Sequence, residues 1–136
     1  NNGADGIALA RMLLGEVDVK LFLPMGVKSQ MAKYQLEVYK QYNGEFFDGN
    51  CNYDCYVDAI FGAGLKRELS NEINNIIRKI NKKDGFKLAC DIPTGLGDRK
   101  YGEVFKADVT ITMGAEKLAL YSDIAKDYVG EIKIAN

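Results

Sequence analysis

Five short runs, Val17 to Leu23, Cys55 to Phe61, Lys87 to Asp91, Val109 to Met113 and Glu131 to Ala135, constrain the fold of this chain more than any other feature. Several read as short, mainly apolar runs rather than alternating ones, which suits strands covered on both faces, as in a parallel sheet, better than a sandwich with one wet face. Helical spacing appears between them. Met31, Tyr34, Val38 and Tyr42 recur with that period after Pro24-Met25-Gly26, and Leu69, Ile73, Ile76, Ile77 and Ile80 form a cleaner stripe ending in Asn81-Lys82-Lys83-Asp84-Gly85. Both stripes predict core-facing helices. A third pattern, Ile7, Ala8, Ala10, Met12, Leu13 and Leu14, stops at Gly15. Helices alternating with strands predict an α/β doubly wound fold, in which ligands sit outside the carboxyl ends of the strands.

A length of 136 residues allows one domain with a real core and predicts a single compact unit over 1–136. Asn43 to Asn52 reads as a polar connecting loop. With 18 basic and 19 acidic residues the chain has no electrostatic footprint for nucleic acid or an anionic membrane, so a charged ligand must be bound locally. No run is long enough to span a bilayer, and a soluble protein is expected.

The three cysteines, Cys51, Cys55 and Cys90, fit free thiols in a reducing cytosol better than a disulfide framework. A C-x3-C spacing without histidine is a poor zinc site. The absence of histidine excludes Ser-His-Asp and Cys-His catalysis within the chain, leaving Asp, Glu, Lys, Tyr and Cys to carry protons.

Four segments are expected to converge on one rim of the sheet. Asn1-Asn2-Gly3-Ala4-Asp5-Gly6 reads as a loop feeding a helix N-terminus, where unpaired N–H groups and side-chain oxygens can hold a polar ligand; a plain Asp5 cap is the ordinary alternative. No strand precedes it, so the chain is expected to begin inside a βα unit. In the second segment, Gly62-Ala63-Gly64-Leu65-Lys66-Arg67 combines bare backbone with two cations, a cradle for phosphate or merely a tight turn, and departs from the dinucleotide fingerprint at Arg67. Asp58 lies within the preceding apolar strand, where a carboxylate is costly unless paired, hydrogen-bonded or set against a cation. In the third, Asp91-Ile92-Pro93-Thr94-Gly95 leaves a carboxylate at a strand end, able to act as acid or base or simply to form a turn. The fourth and weakest, Thr110 to Lys117, is a strand leading to a lysine that could face a ligand, although the ordinary reading is a solvated side chain.

Asn-Asn-Gly-Ala-Asp-Gly, Val-Asp-Ala-Ile-Phe-Gly-Ala-Gly-Leu, Asp-Ile-Pro-Thr-Gly-Leu and Ala-Asp-Val-Thr-Ile-Thr, in this order and over nearly the whole chain, resemble the YjeF N-terminal domain family, the NAD(P)HX epimerases. The resemblance implies a Rossmann-like three-layer αβα domain with a mainly parallel central sheet. It implies interconversion of the R and S epimers of hydrated NADH and NADPH, often by a homodimer and often beside a fused or separate ATP- or ADP-dependent dehydratase. Asn1, Asn2, Gly3, Ala4, Asp5, Gly62, Ala63, Gly64, Leu65, Lys66, Arg67, Glu68 and Asp91 would contact the hydrated nucleotide. Asn2, Asp58 and Thr94 would hold a potassium ion, which would give the carboxylate in the apolar strand a physical reason. Thr94 stands where serine is common and keeps the hydroxyl; Ala119 replaces a glycine usual two residues after the lysine matching Lys117.

The substrate carbon carries a hydroxyl beside the ring nitrogen, so inversion through an iminium or a ring-opened aldehyde needs a proton donor and acceptor, a role expected of Asp91. Two rivals are a non-catalytic nucleotide-binding or scaffold module and a nicotinamide-dependent dehydrogenase. The broken glycine fingerprint, and the lack of an acidic residue closing Val17 to Leu23, weigh against the dehydrogenase.

Overall fold

A computed structural model describes residues 2–47 and 52–135. Asn1 and Cys51 therefore lie outside the described residues. The elements run α1 (Asn2–Met12), β1 (Lys20–Leu21), α2 (Gln30–Gln41), β2 (Glu45–Phe46), β3 (Cys55–Asp58), α3 (Asn71–Asn81), β4 (Phe86–Cys90), β5 (Val109–Met113), a short 3-10 helix (Leu118–Tyr121) and β6 (Glu131–Ala135). All strand pairs between these elements are parallel. No helix among the described residues is long and apolar enough to cross a membrane.

The chain divides into two compact units, Asn1–Cys51 and Asn52–Asn136, rather than the single one expected from its length. Each encloses its own apolar cluster. In the first unit, Ala4, Ile7 and Ala10 of α1 meet Ala32, Leu36 and Tyr39 of α2. The side of α2 that faces the core is thus one residue out of step with the expected stripe. Met31, Tyr34 and Tyr42 are exposed, because Ala32 and Leu36 supply the packing face, with Ala32 letting α1 come close. Ser29 begins α2 by accepting the Ala32 N–H at 3.1 Å. The fully buried Tyr39 donates its hydroxyl to the Glu45 carbonyl at 2.7 Å, and a Cβ on Gly44 would fall 2.3 Å from its ring, so glycine is required there.

Three further expectations change in this unit. Asn2 to Gly6 are the opening turns of α1 and not a loop, and neither Gly3 nor Gly6 has a positive φ. The expected strand Val17 to Leu23 shortens to Lys20–Leu21, since its partner offers only Glu45 and Phe46. That partner, β2, lies in the segment expected to be a loop, whose residues 48–51 are outside the described residues.

In the second unit the strands stand in the order β3-β4-β5-β6. Val57 pairs with Leu88, Leu88 with Val109 and Thr110 with Ile132, which aligns the four carboxyl ends along one rim. The α3 helix is capped by the Ser70 hydroxyl, which accepts the Ile73 N–H at 3.3 Å. It buries Ile73 and Ile77, with Leu69 just before it, against Ala89, Phe105 and Ala107, as its stripe predicted. A further cluster gathers Ile92, Leu96, Val104, Leu120, Ala125 and Val129. Strand β3 stops at Asp58 instead of Phe61, and β4 covers Phe86–Cys90 instead of Lys87 to Asp91, so both acidic residues sit at strand ends. Val109–Met113 and Glu131–Ala135 agree with the sequence reading.

Candidate active site

The carboxyl ends of β3 and β4 are joined through Asp58 and Thr94. Asp58, 3% exposed, accepts the Thr94 N–H on Oδ2 at 2.7 Å, and the Thr94 hydroxyl and Ile60 N–H on Oδ1 at 2.7 and 3.2 Å. The Thr94 hydroxyl oxygen in turn accepts the Phe61 N–H at 3.1 Å. Pro93, Thr94 and Gly95 are drawn tightly underneath, with φ at +91° for Gly95. Burial pushes the Asp58 carboxyl up to about 6, against the Thr94 and Ile60 hydrogen bonds that pull it down. No ion pair with a protein cation involves Asp58 among the described residues.

That environment fits a monovalent cation. One buried carboxylate and one hydroxyl form an oxygen-only donor pair with a single negative charge, suited to a hard ion. Among the described residues no group of three or more His, Cys, Asp or Glu side chains is placed to hold a metal, so a carboxylate-rich divalent site is absent there. In the first unit, Asn2 opens α1 with both side-chain amide atoms buried and without a hydrogen-bond partner. An unpartnered buried amide oxygen is what a cation ligand needs before its ion is bound.

Asp91 follows β4 directly, in the left-handed region at φ +70°, which aspartate tolerates better than most residues. Its N–H is bonded to the Ile111 carbonyl at 2.7 Å. Side-chain Oδ2 accepts the Ala63 N–H at 3.2 Å, while Oδ1 faces the Lys117 ammonium at 2.6 Å and the Thr112 hydroxyl at 3.4 Å. Lys117 also donates to the Met113 carbonyl at 2.6 Å. Partial burial works to raise the Asp91 pKa, but the Lys117 contact and the Ala63 and Met113 N–H groups outweigh it and hold the carboxyl below the usual carboxylate range. Asp91 is therefore a carboxylate at neutral pH and partly open to solvent.

The loop after β3 turns through a Leu65 N–H to Gly62 carbonyl bond of 3.3 Å. Phe61, Gly64, Leu65, Lys66 and Arg67 line a shallow cavity of about 340 Å³. A Cβ on Gly64 would meet nothing within 4 Å, so the glycine leaves open space. Lys66 and Arg67 are exposed. Glu68 is held by Arg99 at 2.5 Å and so is turned toward that cation.

Sequence reasoning placed Asp91, Thr94 and the 62–68 loop on one rim, and the structure brings them together. Two residues of the fourth segment were given no role in the sequence reading. Lys117, expected to be solvated, is the ion-pair partner of Asp91, and Thr112, fully buried, lies beside the same carboxylate. A signal existed in the polar threonines of an apolar strand, with a lysine four residues beyond its end. Of the cysteines, Cys55 is exposed and Cys90 buried.

A parallel α/β sheet with an ion pair, Asp91–Lys117, at its carboxyl rim defines a Rossmann-like domain. The chain belongs to the family described as YjeF-related protein N-terminus, whose profile matches residues 1–119. It is 40% identical to the bifunctional NAD(P)H-hydrate repair enzyme Nnr of Helicobacter pylori, over all of this chain and 31% of that protein. It is 38% identical to the NAD(P)H-hydrate epimerase of Oenococcus oeni and 34% to that of Levilactobacillus brevis, over all of this chain and 69% and 67% of theirs. The chain thus spans under a third of the bifunctional relative and about two thirds of the two epimerases.

Proposed function

We propose that this chain is an NAD(P)H-hydrate epimerase that interconverts the R and S forms of hydrated NADH and NADPH in nicotinamide nucleotide repair. The observation that carries the reading is Asp91: an ionised, partly open carboxylate at a strand carboxyl end, fixed from three sides. The names of the relatives support the substrate class. Asp91 takes the hydroxyl proton of the substrate carbon and returns it, whether inversion runs through an iminium or through ring opening. Lys66 and Arg67, exposed beside the cavity after β3, supply charge for the substrate's phosphates.

Asp58 and Thr94 are the residues that would hold potassium. Bound there, the ion would supply a fixed positive charge that neutralises Asp58 and leaves the 58–61 and 93–95 loops set for substrate. Two finer expectations accompany this reading, a homodimer and a dehydratase, fused or separate, that consumes one epimer. A scaffold module would need neither the ionised Asp91 nor a lysine against it.

The test is direct. Chromatographically separated R and S epimers of hydrated NADH, incubated with the purified chain, are expected to reach a common mixture faster than without protein. Interconversion at the spontaneous rate would reject the proposal.

A further inference from the structure

We propose that Lys117 is the proton-donating partner of Asp91, and that the pair inverts its substrate by opening the ring from one side rather than by moving water across it. This rests on the epimerase reading above. Lys117 Nζ lies 2.6 Å from Asp91 Oδ1, and the two side chains are similarly open, at 23% and 20% exposure. Asp91 directly follows β4 and Lys117 comes four residues after β5. The groups that face Asp91 are the Lys117 ammonium, the Thr112 hydroxyl and the Ala63 and Met113 N–H groups, and among these only the lysine carries a charge.

A carboxylate and an ammonium in contact address a bound ring from one side. Loss of water from one face and its return to the other would need proton carriers on both sides. Ring opening does not, because rotation about a carbon–carbon bond turns the aldehyde over while the catalytic groups stay in place. The hydroxyl proton goes to Asp91 as its O–H electrons form the aldehyde C=O. The bond from that carbon to the ring nitrogen breaks with its electrons on nitrogen, which takes a proton from Lys117. This leaves a carboxylic acid beside a neutral amine, and their contact lets the proton pass back to Lys117. Closure on the other face runs the same transfers in reverse, and the net change is inversion alone.

The same contact explains how two charged side chains persist at a partly buried rim. The lysine is anchored a second time, on the Met113 carbonyl at 2.6 Å, so its ammonium is aimed and not free to swing.

The experiment uses the full-length protein with separated epimers. Lys117→Met is expected to slow interconversion on the order of 10²- to 10⁴-fold. It is also expected to move the acidic limb of the rate profile to higher pH, because the ammonium that keeps Asp91 ionised is gone. Lys117→Arg keeps the ion pair but holds its proton far more tightly, and is expected to stay slow. In Lys117→Ala, added methylamine is expected to restore part of the rate, which a misfolded variant would not allow. In ¹⁸O-water, label is expected to enter substrate far more slowly than the epimers interconvert. An active parent protein with a Lys117→Arg rate within a few-fold of it would overturn the role of Lys117, reducing it to a holder of charge. One solvent oxygen gained per inversion would overturn the ring-opening route. A parent protein with no activity removes the epimerase reading and this inference together.

Discussion

Asp58 and Thr94 grip each other twice, N–H to Oδ2 and hydroxyl to Oδ1, both at 2.7 Å and both out of contact with solvent. The pair ties the loop after β3 to the loop after β4. Thr94→Val keeps the shape but removes a donor to Asp58 and the acceptor of the Phe61 N–H, leaving buried polar atoms unpaired. It is expected to cost about 2–3 kcal/mol in urea unfolding, with Thr94→Ser close to the parent. Equal stability of the parent and the valine variant would contradict the role of this clasp.

The buried carboxylate also predicts an ion dependence. Potassium at about a hundred times its dissociation constant is expected to add about 2.7 kcal/mol to the parent, and nothing to Asp58→Asn. Thermal unfolding in potassium against choline at equal ionic strength checks this. A response shared by parent and variant would place any potassium effect elsewhere.

Gly95 makes the turn that delivers Thr94. With φ at +91° and a built Cβ 2.1 Å from the Glu103 carbonyl oxygen, Gly95→Ala is expected to lose at least about 2 kcal/mol. The unfolding midpoint reads it, and an unchanged midpoint would refute the constraint.

The Asp91–Lys117 pair predicts a pH dependence with a fixed sign. The folded carboxyl lies below its ordinary 3.8, so the folded chain binds that proton less tightly than the unfolded chain. The stability it contributes is present above pH 3.8 and is lost as pH falls through the folded value. Subtracting Lys117→Met from the parent in acid titrations of urea stability cancels the other groups, Asp58 included. The difference is expected to shrink on acidification, and a pH-independent difference would contradict the pair.

The second unit was more legible in the sequence than the first. Two of its strands match residue for residue, because Val109 and Ile111 in one and Ile132 and Ile134 in the other recur at every second position, and the α3 stripe has no competitor. In α2 two stripes compete, and only the partner α1 decides between Met31-Tyr34-Val38 and Ala32-Leu36-Tyr39. The opening glycines suggested a loop because propensity is a weak prior, and packing of Ala4 and Ile7 overrides it. Asp91 and Thr94 were visible because Pro93 and Gly95 mark the turn at a strand end. Lys117 was not, since its partner is 26 residues away in sequence and only the register of β4 with β5 brings the two together.

The account stands most directly on Asp91, and Asp91→Asn is the cleanest change, since asparagine also accepts a positive φ and keeps the Ala63 contact while losing the base. Its effect is read as the rate at which separated epimers of hydrated NADH interconvert, beside an unfolding curve for the same protein. The expected result is a loss on the order of 10²-fold or more in a variant that stays folded. Interconversion at the parent rate by a folded Asp91→Asn protein would contradict the central claim.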